Sequence, residues 1–317
     1  MGATPLASLG VSSSAPSAPS APSALSASSA SPSDPLRFVQ RALAEHRIVF
    51  LGDIHPIAQP KLLVTQLIQQ QDSRYAIDLL ALEVASEQQE WIDRYLASAP
   101  EDTAILLNHP RTLRAHWGVS REYLGIYRAV YQWNRNHPAR QVRVLAADLI
   151  GWPIAPLTEH MATGGFVNRD VWMAKAFEKV LRQHREWRVL IFMGGYHGLK
   201  EVGGEVALGR AHDRFDHWFA GYLAQDGTEV YSILTDAPQE DGRPATRVYD
   251  LLARRGRGSF ATQLDSTTDV VREPVYDVEQ EGFHLEFWPS RFPLRHAVDA
   301  MLVLDRPSPI TLIRDQP

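Results

Sequence analysis

Four short runs of almost unbroken aliphatic residues limit how this chain can fold. They are RIVFL (47–51), IDLLALEV (77–84), VRVLAA (142–147) and RVLIFM (188–193). Strands without alternating polar residues are buried on both faces, which is typical of largely parallel sheets covered by helices. Segments with helical patterns separate these runs, one after Pro60 and longer ones at about 120–136 and 168–187. The alternation predicts an α/β fold with a central, largely parallel but mixed β-sheet flanked by helices.

Further segments extend this pattern. EVYSILT (229–235) and AVDAMLVL (297–304) are predicted to be additional strands. The stretch 236–290 is rich in Pro, Gly, Asp and Arg, so we expect loops there. Ser86, followed three residues later by Gln89, has the spacing of a capping box and predicts a helix start before WIDRYLA.

The N-terminal segment differs in composition from the rest of the chain. Residues 1–35 are mostly Ser, Ala and Pro, including APSAPSAPSA from Ala15. Such a segment buries too little apolar surface to offset the entropy lost on ordering, so it is predicted to be a disordered tail or tether. The sequence therefore divides into this tail, 1–35, and a single α/β domain, 36–317.

The net charge and the composition restrict the classes of molecule that this protein is expected to bind. A formal net charge of -5 argues against nucleic-acid binding, and no window approaches the ~18 apolar residues of a membrane-spanning helix. The absence of cysteine excludes disulfides, thiolate metal ligands and a cysteine nucleophile. We expect a small-molecule or peptide substrate and make no prediction of oligomeric state. The sequence as it stands predicts a cytoplasmic protein, and a removed signal would make it periplasmic or membrane-tethered.

Polar side chains follow the four aliphatic strands. The first strand leads to Asp53 and His55, the second to Glu83, the third to Asp148 and the fourth to His197. The carboxyl ends of parallel strands meet at one edge of a sheet, where ligands bind. Each residue alone has a structural explanation, such as capping the next helix. Together they predict a site, because polar groups that face one crevice repel or desolvate each other unless something uses them.

Two of these exits share a Gly-x-x-His pattern, GDIH (52–55) and GGYH (194–197), in which the glycine is expected to permit a sharp turn. The two histidines with Asp53 and Glu83 suit a divalent metal such as Mn, Co, Fe or Zn, with positions open for water. Such a metal would lower the pKa of its water and polarise a carbonyl. Without a metal, His55 is the candidate general base, oriented by Glu83 or Asp53.

Other motifs give weaker signals. HDRFDHW (212–218) is expected to be helical, with His and Asp four residues apart, and surface charge pairing is the simplest interpretation. The sequence has no Gly-x-Ser-x-Gly elbow, Walker loop, Gly-x-Gly-x-x-Gly or His-Glu-x-x-His motif. Serine hydrolases and proteins that bind nucleotides through a P-loop or a dinucleotide fold therefore lose support.

Five segments resemble one known superfamily. IVFLGDIHPIAQPKLLVTQLI, LALEVASEQQEWIDRYL, NRDVWMAKAFEKVL, RVLIFMGGYHG and AVDAMLVLD span roughly residues 45–305. They are similar, in the same order, to the superfamily that joins erythromycin esterase-like enzymes, ChaN-like haem-uptake lipoproteins and Tiki metalloproteases, with the ChaN-like branch nearest. The resemblance implies a mixed-sheet α/β fold in which both Gly-x-x-His motifs and an intervening Glu meet in one cleft.

The resemblance also implies individual roles. His55 and His197 match the motif histidines, and Glu83 matches the acid that closes the second strand. Position 53 departs from the pattern, because many members have Gly-Glu-x-His. The shorter side chain of Asp53 makes direct metal ligation doubtful and favours support of a ligand histidine.

Three further residues are expected to bind substrate. Arg169 in NRDVWMA matches a basic residue that many members place near the pocket, with Met173 packing beneath it. Tyr196 lies within GGYHG, and Asp148 ends the third strand. They are the predicted substrate contacts around the metal or base.

Three functions agree with these residues. The first, which we favour, is a metal-dependent hydrolase in which His55, Glu83 and His197 surround a water that attacks an ester, lactone or amide. The second is a haem-binding protein of the ChaN-like type, with Tyr196, His55 or His197 as axial ligand. The third is a non-catalytic relative that the Ser/Ala/Pro tail tethers to a larger assembly.

Overall fold

The computed structural model describes residues 33–115, 118–151, 165–208, 211–238, 252–254, 258–264, 269–271, 276–278, 283–288 and 291–313. The strands are β1 (Ile48–Asp53), β2 (Leu79–Ala85), β3 (Arg114–Ala115), β4 (Gly118–Val119), β5 (Arg143–Asp148), β6 (Val189–Gly194), β7 (Gly203–Leu208), β8 (Ala211–Phe215), β9 (Tyr231–Asp236), β10 (Phe260–Gln263), β11 (Asp269–Val271), β12 (Tyr276–Val278), β13 (Phe283–Trp288), β14 (Arg291–Pro293) and β15 (Ala300–Val303). The α-helices are Pro35–Glu45, Ala58–Gln69, Gln89–Ala97, Ala104–Leu107, Arg121–Asn136, Gly165–Gln183, Phe219–Gln225 and Leu294–Ala297.

A seven-stranded sheet forms the centre of the domain. Its strand order is β10-β15-β9-β1-β6-β2-β5. All neighbours run parallel except β10, which pairs antiparallel with β15. The predicted α/β fold with a largely parallel, mixed sheet is therefore confirmed, and all six predicted strands belong to this sheet.

Both faces of the central strand β1 are buried, which explains why its apolar run is unbroken. Val49 and Leu51 belong to one hydrophobic core, whereas Ile48 and Phe50 belong to another. Successive side chains of a strand point to opposite faces, so both faces of β1 are covered. Helices Pro35–Glu45, Ala58–Gln69 and Arg121–Asn136 contribute buried side chains to the first core, and helices Gly165–Gln183 and Phe219–Gln225 contribute them to the second.

Three local predictions are wrong. Ser86 begins a short 3-10 turn rather than a capping box, and the Gln89 side chain instead bonds to the backbone of β5 at Val144 and Ala146. Residues 212–215 of the segment expected to be helical at 212–218 lie in β8, which pairs with β7. The stretch expected to be loops contains β10 to β13. Strands β10 and β11 pair with the later strands β15 and β14, whereas β12 pairs with its neighbour β13, which also pairs with β7.

The N-terminal boundary is marked by a helix cap. The Asp34 carboxylate accepts a hydrogen bond of 3.0 Å from the backbone N–H of Arg37 at the start of helix Pro35–Glu45. Residues 1–32 of the predicted tail lie outside the described residues. Within the described ranges, no helix has the length and apolar character needed to cross a membrane.

Residues 305–313 form an exposed strap that fixes the turn after β1. The Ala58 N–H donates to the carbonyl of Ser308 at 2.8 Å, and the Ile310 N–H donates to the carbonyl of Pro56 at 2.9 Å. Farther along the strap, the Arg121 N–H donates to the carbonyl of Thr311 at 3.0 Å. The strap therefore joins the turn that carries His55 to the start of helix Arg121–Asn136.

Close packing at the end of β6 gives a first testable prediction. A Cβ at Gly198 would lie 2.5 Å from the buried ring of Phe50 and 2.8 Å from the Ser232 hydroxyl. We expect Gly198→Ala to lower the free energy of unfolding by about 1–3 kcal/mol, because the Phe50 ring cannot retreat without strain. Urea denaturation measures this change.

Gly125 provides the matched control. It lies within helix Arg121–Asn136, and a Cβ there would meet only the Thr65 hydroxyl, at 3.7 Å. Gly125→Ala should raise the free energy of unfolding by about 0.5–1 kcal/mol, since alanine favours a helix interior. Equal effects of the two substitutions would contradict the packing argument.

Candidate active site

The register of the sheet brings the predicted strand ends to one level. Asp53 at the end of β1 lies beside Gly194 at the end of β6. Strand β2 lies on the other side of β6 and pairs with β5, so that Ala85 lies beside Asp148. Glu83 precedes Ala85 at an irregularity in β2. The carboxyl ends of four strands therefore meet at one edge, as parallel strands require.

His55 is held by Asp53, two residues before it. The Nδ1 atom of His55 lies 3.0 Å from Oδ2 of Asp53. The other carboxylate oxygen, Oδ1, accepts a hydrogen bond of 2.5 Å from Nζ of Lys61. Burial lowers the pKa of Lys61, although Asp53 opposes this shift. This His–Asp pair thus has a buried carboxylate and an imidazole whose side chain is 19% exposed.

His197 belongs to a second and more deeply buried His–Asp pair. Its Nδ1 lies 2.7 Å from Oδ1 of Asp170, and the same oxygen accepts the N–H of Phe219 at 2.7 Å. Trp218 packs edge-on against the imidazole, with the ring centroids 5.9 Å apart. Sequence reasoning missed Asp170. The available signal was its position directly after Arg169.

Glu83 lies between the two imidazoles. Its Oε2 is 3.6 Å from Nε2 of His55, and its Oε1 is 3.5 Å from Nε2 of His197. Both oxygens also accept stronger hydrogen bonds, Oε1 from Nη2 of Arg169 at 2.5 Å and Oε2 from the Gly194 N–H at 2.6 Å. These two donors fix the carboxylate in the position that both histidines face.

Arg169 connects Glu83 to Asp148. Its Nε and Nη2 atoms donate to Asp148 at 2.9 and 2.7 Å, and Nη2 also reaches Glu83. Both Arg169 and Asp148 are buried, and their contacts hold Glu83 in place. Their expected contact with a substrate stays a prediction. Met173, expected beneath Arg169, is buried in the core on that side of the sheet. The substrate contact of the half-buried Tyr196 stays a prediction.

Gly194 leaves the space in which these groups meet. A Cβ at this position would lie 3.1 Å from both Oε2 of Glu83 and Nε2 of His55. The φ angle of Gly194 is −48°, which any residue adopts. The first glycine of GGYH is therefore needed for close approach and not for the sharp turn that we had expected.

Negative charge predominates in this cluster. Four carboxylates face two permanent cations: Asp53, Glu83, Asp148 and Asp170 against Lys61 and Arg169. Burial and Arg169 oppose a charge on His197, but Asp170 and Glu83 outweigh them and raise the pKa of His197 to about 9. The charged ring donates to Asp170 and points Nε2–H towards Glu83. After deprotonation, Nε2 can accept from Nη1 of Arg169, 3.1 Å away.

The residues predicted to bind a divalent metal do not fit one. Within the parts of the chain that the structure describes, no group of three or more His, Cys, Asp or Glu is arranged to hold a metal ion. Lys61 and Arg169 already occupy the carboxylates of Asp53 and Glu83. A divalent cation placed among them would meet the repulsion of both side chains.

Comparison with known proteins identifies relatives in fold. No protein-family model and no curated protein matches the sequence. An erythromycin esterase, EreC, in its open conformation is 13% identical, with a TM-score of 0.56 over 88% of this chain and 95% of that chain. A succinoglycan biosynthesis protein is 9% identical, with a TM-score of 0.57 over 88% and 92%. These likenesses show the fold alone and confirm the expected resemblance at that level.

A haem-bound ChaN of Campylobacter jejuni also matches, at 14% identity. It covers 63% of this chain and 85% of its own, with a TM-score of 0.33.

The buried His197 predicts how stability depends on pH. Its pKa rises from the ordinary 6.5 to about 9 on folding, so the folded state binds the proton more tightly. This stabilisation is fully present below the ordinary pKa and is lost as the pH rises through the folded value, by roughly 1.4 kcal/mol for each unit of pKa difference. Urea denaturation between about pH 6 and pH 10 measures the loss.

His197→Gln serves as the comparison, because glutamine cannot take up the proton. Its free energy of unfolding should change less over the same pH range. Parallel pH profiles for the two proteins would contradict the assignment to His197.

Proposed function

We propose that this protein is a hydrolase in which His55, oriented by Asp53, acts as a general base towards a water molecule. The observation that carries the proposal is the position of His55 at the surface of an otherwise buried charged cluster. The His55 side chain is 19% exposed, whereas no other side chain named in the cluster exceeds 8%. His55 is therefore the member of the cluster that water and substrate can reach.

The contacts of the His55 ring suit a base. With its proton on Nδ1 directed at Asp53, neutral His55 presents a lone pair at Nε2. Nε2 can take a proton from water as the water oxygen attacks a carbonyl carbon, and Asp53 stabilises the imidazolium that forms. The new Nε2–H then faces Oε2 of Glu83, 3.6 Å away. The ring can return the proton to the leaving group when the carbonyl–heteroatom bond breaks.

The fold agrees with hydrolysis but leaves the substrate open. One protein of this fold is an erythromycin esterase. By analogy of fold we place the target bond among esters, lactones and amides, whose carbonyl carbon a base-activated water attacks.

The other functions expected from the sequence have less support from the contacts. A metal-dependent hydrolase needs carboxylates that are paired here with Lys61 and Arg169. The ring nitrogens of both histidines already face protein groups, so an axial ligand for haem would have to break such a contact or come from Tyr196. A non-catalytic relative would need neither a metal nor haem. The base chemistry proposed for His55 also requires neither a metal nor haem.

Substitution of His55 tests the proposed base. We expect His55→Gln to lower kcat/KM by about 100- to 10,000-fold, because general-base catalysis contributes about that much. The assay is a panel of chromogenic esters, lactones and fluorogenic peptides, with circular dichroism to check folding. His296→Ala is the matched control, since His296 is an exposed histidine paired with Glu201. Equal activity of His55→Gln and wild type on a hydrolysed substrate would contradict the role of His55.

Elemental analysis and a visible spectrum of untagged protein test the alternatives. We expect no stoichiometric Mn, Co, Fe or Zn, no Soret band after haem addition, and hydrolysis that resists chelators. One metal per chain that is lost in His55→Ala would favour the metallohydrolase instead. A Soret band lost in the same variant would favour haem binding.

A further inference from the structure

We infer that Lys61 is a positioning residue for His55: its ammonium group holds Asp53 and the turn around His55 so that the imidazole keeps one orientation and one tautomer. This inference rests on the proposed role of His55 as the base, and it assigns a function to a residue that the strand-end motifs do not include. It also gives the buried lysine a reason for its position.

The ammonium group of Lys61 is fully used by the turn that carries His55. It donates to Oδ1 of Asp53 at 2.5 Å, to the carbonyl of Ile54 at 3.1 Å and to the carbonyl of Ile57 at 3.0 Å. An ammonium has three N–H donors, so these three acceptors saturate it. The two carbonyls flank His55 and Pro56, and the carboxylate is the one that contacts the imidazole.

Burial of the Lys61 ammonium costs free energy, so we expect this arrangement to have a function. The Lys61 side chain is fully buried on helix Ala58–Gln69, at a position flanked by the buried residues Pro60, Leu63 and Val64. The ring of Tyr123 covers it from helix Arg121–Asn136, with 5.9 Å between Nζ and the ring centroid. An apolar side chain would suit this site without the desolvation cost of an ammonium.

The two oxygens of the Asp53 carboxylate have different partners, and this explains the effect of Lys61 on His55. Because Oδ1 is bound to Lys61, Oδ2 is the oxygen directed at Nδ1 of His55. A carboxylate held in this way accepts a hydrogen bond from the Nδ1–H group and so fixes the neutral ring as the Nδ1–H tautomer. The lone pair is then on Nε2, the atom that faces Glu83.

The tautomer of His55 gives a test that needs no substrate. Long-range 1H–15N NMR of protein labelled with 15N-histidine distinguishes the two neutral tautomers, at a pH where His55 is neutral in each variant. We expect the Nδ1–H form to be dominant in wild type and minor in Lys61→Met, with recovery in Lys61→Arg. Thr65→Val is the matched control, since Thr65 lies one turn later and its hydroxyl donates to the backbone carbonyl of Lys61, not to the ammonium group.

Retention of the Nδ1–H tautomer in a folded Lys61→Met variant would overturn the inference. If Lys61→Met does not fold, the comparison moves to Asp53→Asn and Asp53→Asn/Lys61→Met, in which the buried carboxylate charge is absent. Equal tautomer populations in Asp53→Asn and in the double variant support the inference that Lys61 acts through Asp53. A further change of the tautomer population in the double variant overturns that inference.

Kinetics separate this inference from the proposed function. On a substrate that wild type hydrolyses, Lys61→Met should lower kcat by about 100-fold with little change in KM, as expected for a misplaced base. A tautomer change without loss of kcat would contradict the base role of His55 but leave the positioning by Lys61 intact. If the tautomer is unchanged in Lys61→Met and His55→Gln is inactive, the positioning role of Lys61 is overturned and the proposed hydrolase function stands.

Discussion

The guanidinium of Arg169 is the interaction on which the rest of the site depends. It joins carboxylates from two strands, Glu83 on β2 and Asp148 on β5, and one of these faces both imidazoles. A guanidinium keeps its charge at all working pH values and has a rigid planar set of donors. Its loss would remove the guanidinium charge that balances these two buried carboxylates, at a cost of about 3–5 kcal/mol. The arrangement of both His–Asp pairs therefore depends on how helix Gly165–Gln183 packs against the sheet.

Much of the fold and part of the site could be predicted from the sequence. The direction of parallel strands alone decides which residues reach the same edge, so His55, Glu83, Asp148 and His197 could be grouped without knowing any contact. Lys61 could not be found in this way, because the burial of a polar helix residue depends on how the helix rotates against the sheet. Short strands such as β10 were missed, since their place in the sheet is set by pairing with a distant segment, here β15, and not by their own composition.

The chemistry of these side chains explains why the sequence predicted a metal site. Histidines and carboxylates at a strand edge have the chemistry of metal ligands and equally that of a proton-transfer site. What separates the two is the partner of each carboxylate. Here those partners are Lys61 and Arg169, which come from helices and not from the motifs themselves. A motif of acids and histidines is thus incomplete evidence until the cations around it are located.

The strap formed by residues 305–313 has a consequence for how the site is assembled during synthesis. It hydrogen-bonds to the backbone at Pro56 and Ala58, next to His55, yet it is made roughly 250 residues later. A chain still on the ribosome therefore lacks the partners that hold this turn, even after β1 has been completed. Final ordering of the His55 turn must wait for residues 305–313 to leave the exit tunnel. Strand β15 directly precedes the strap, so the nascent protein completes its sheet and its site at nearly the same stage.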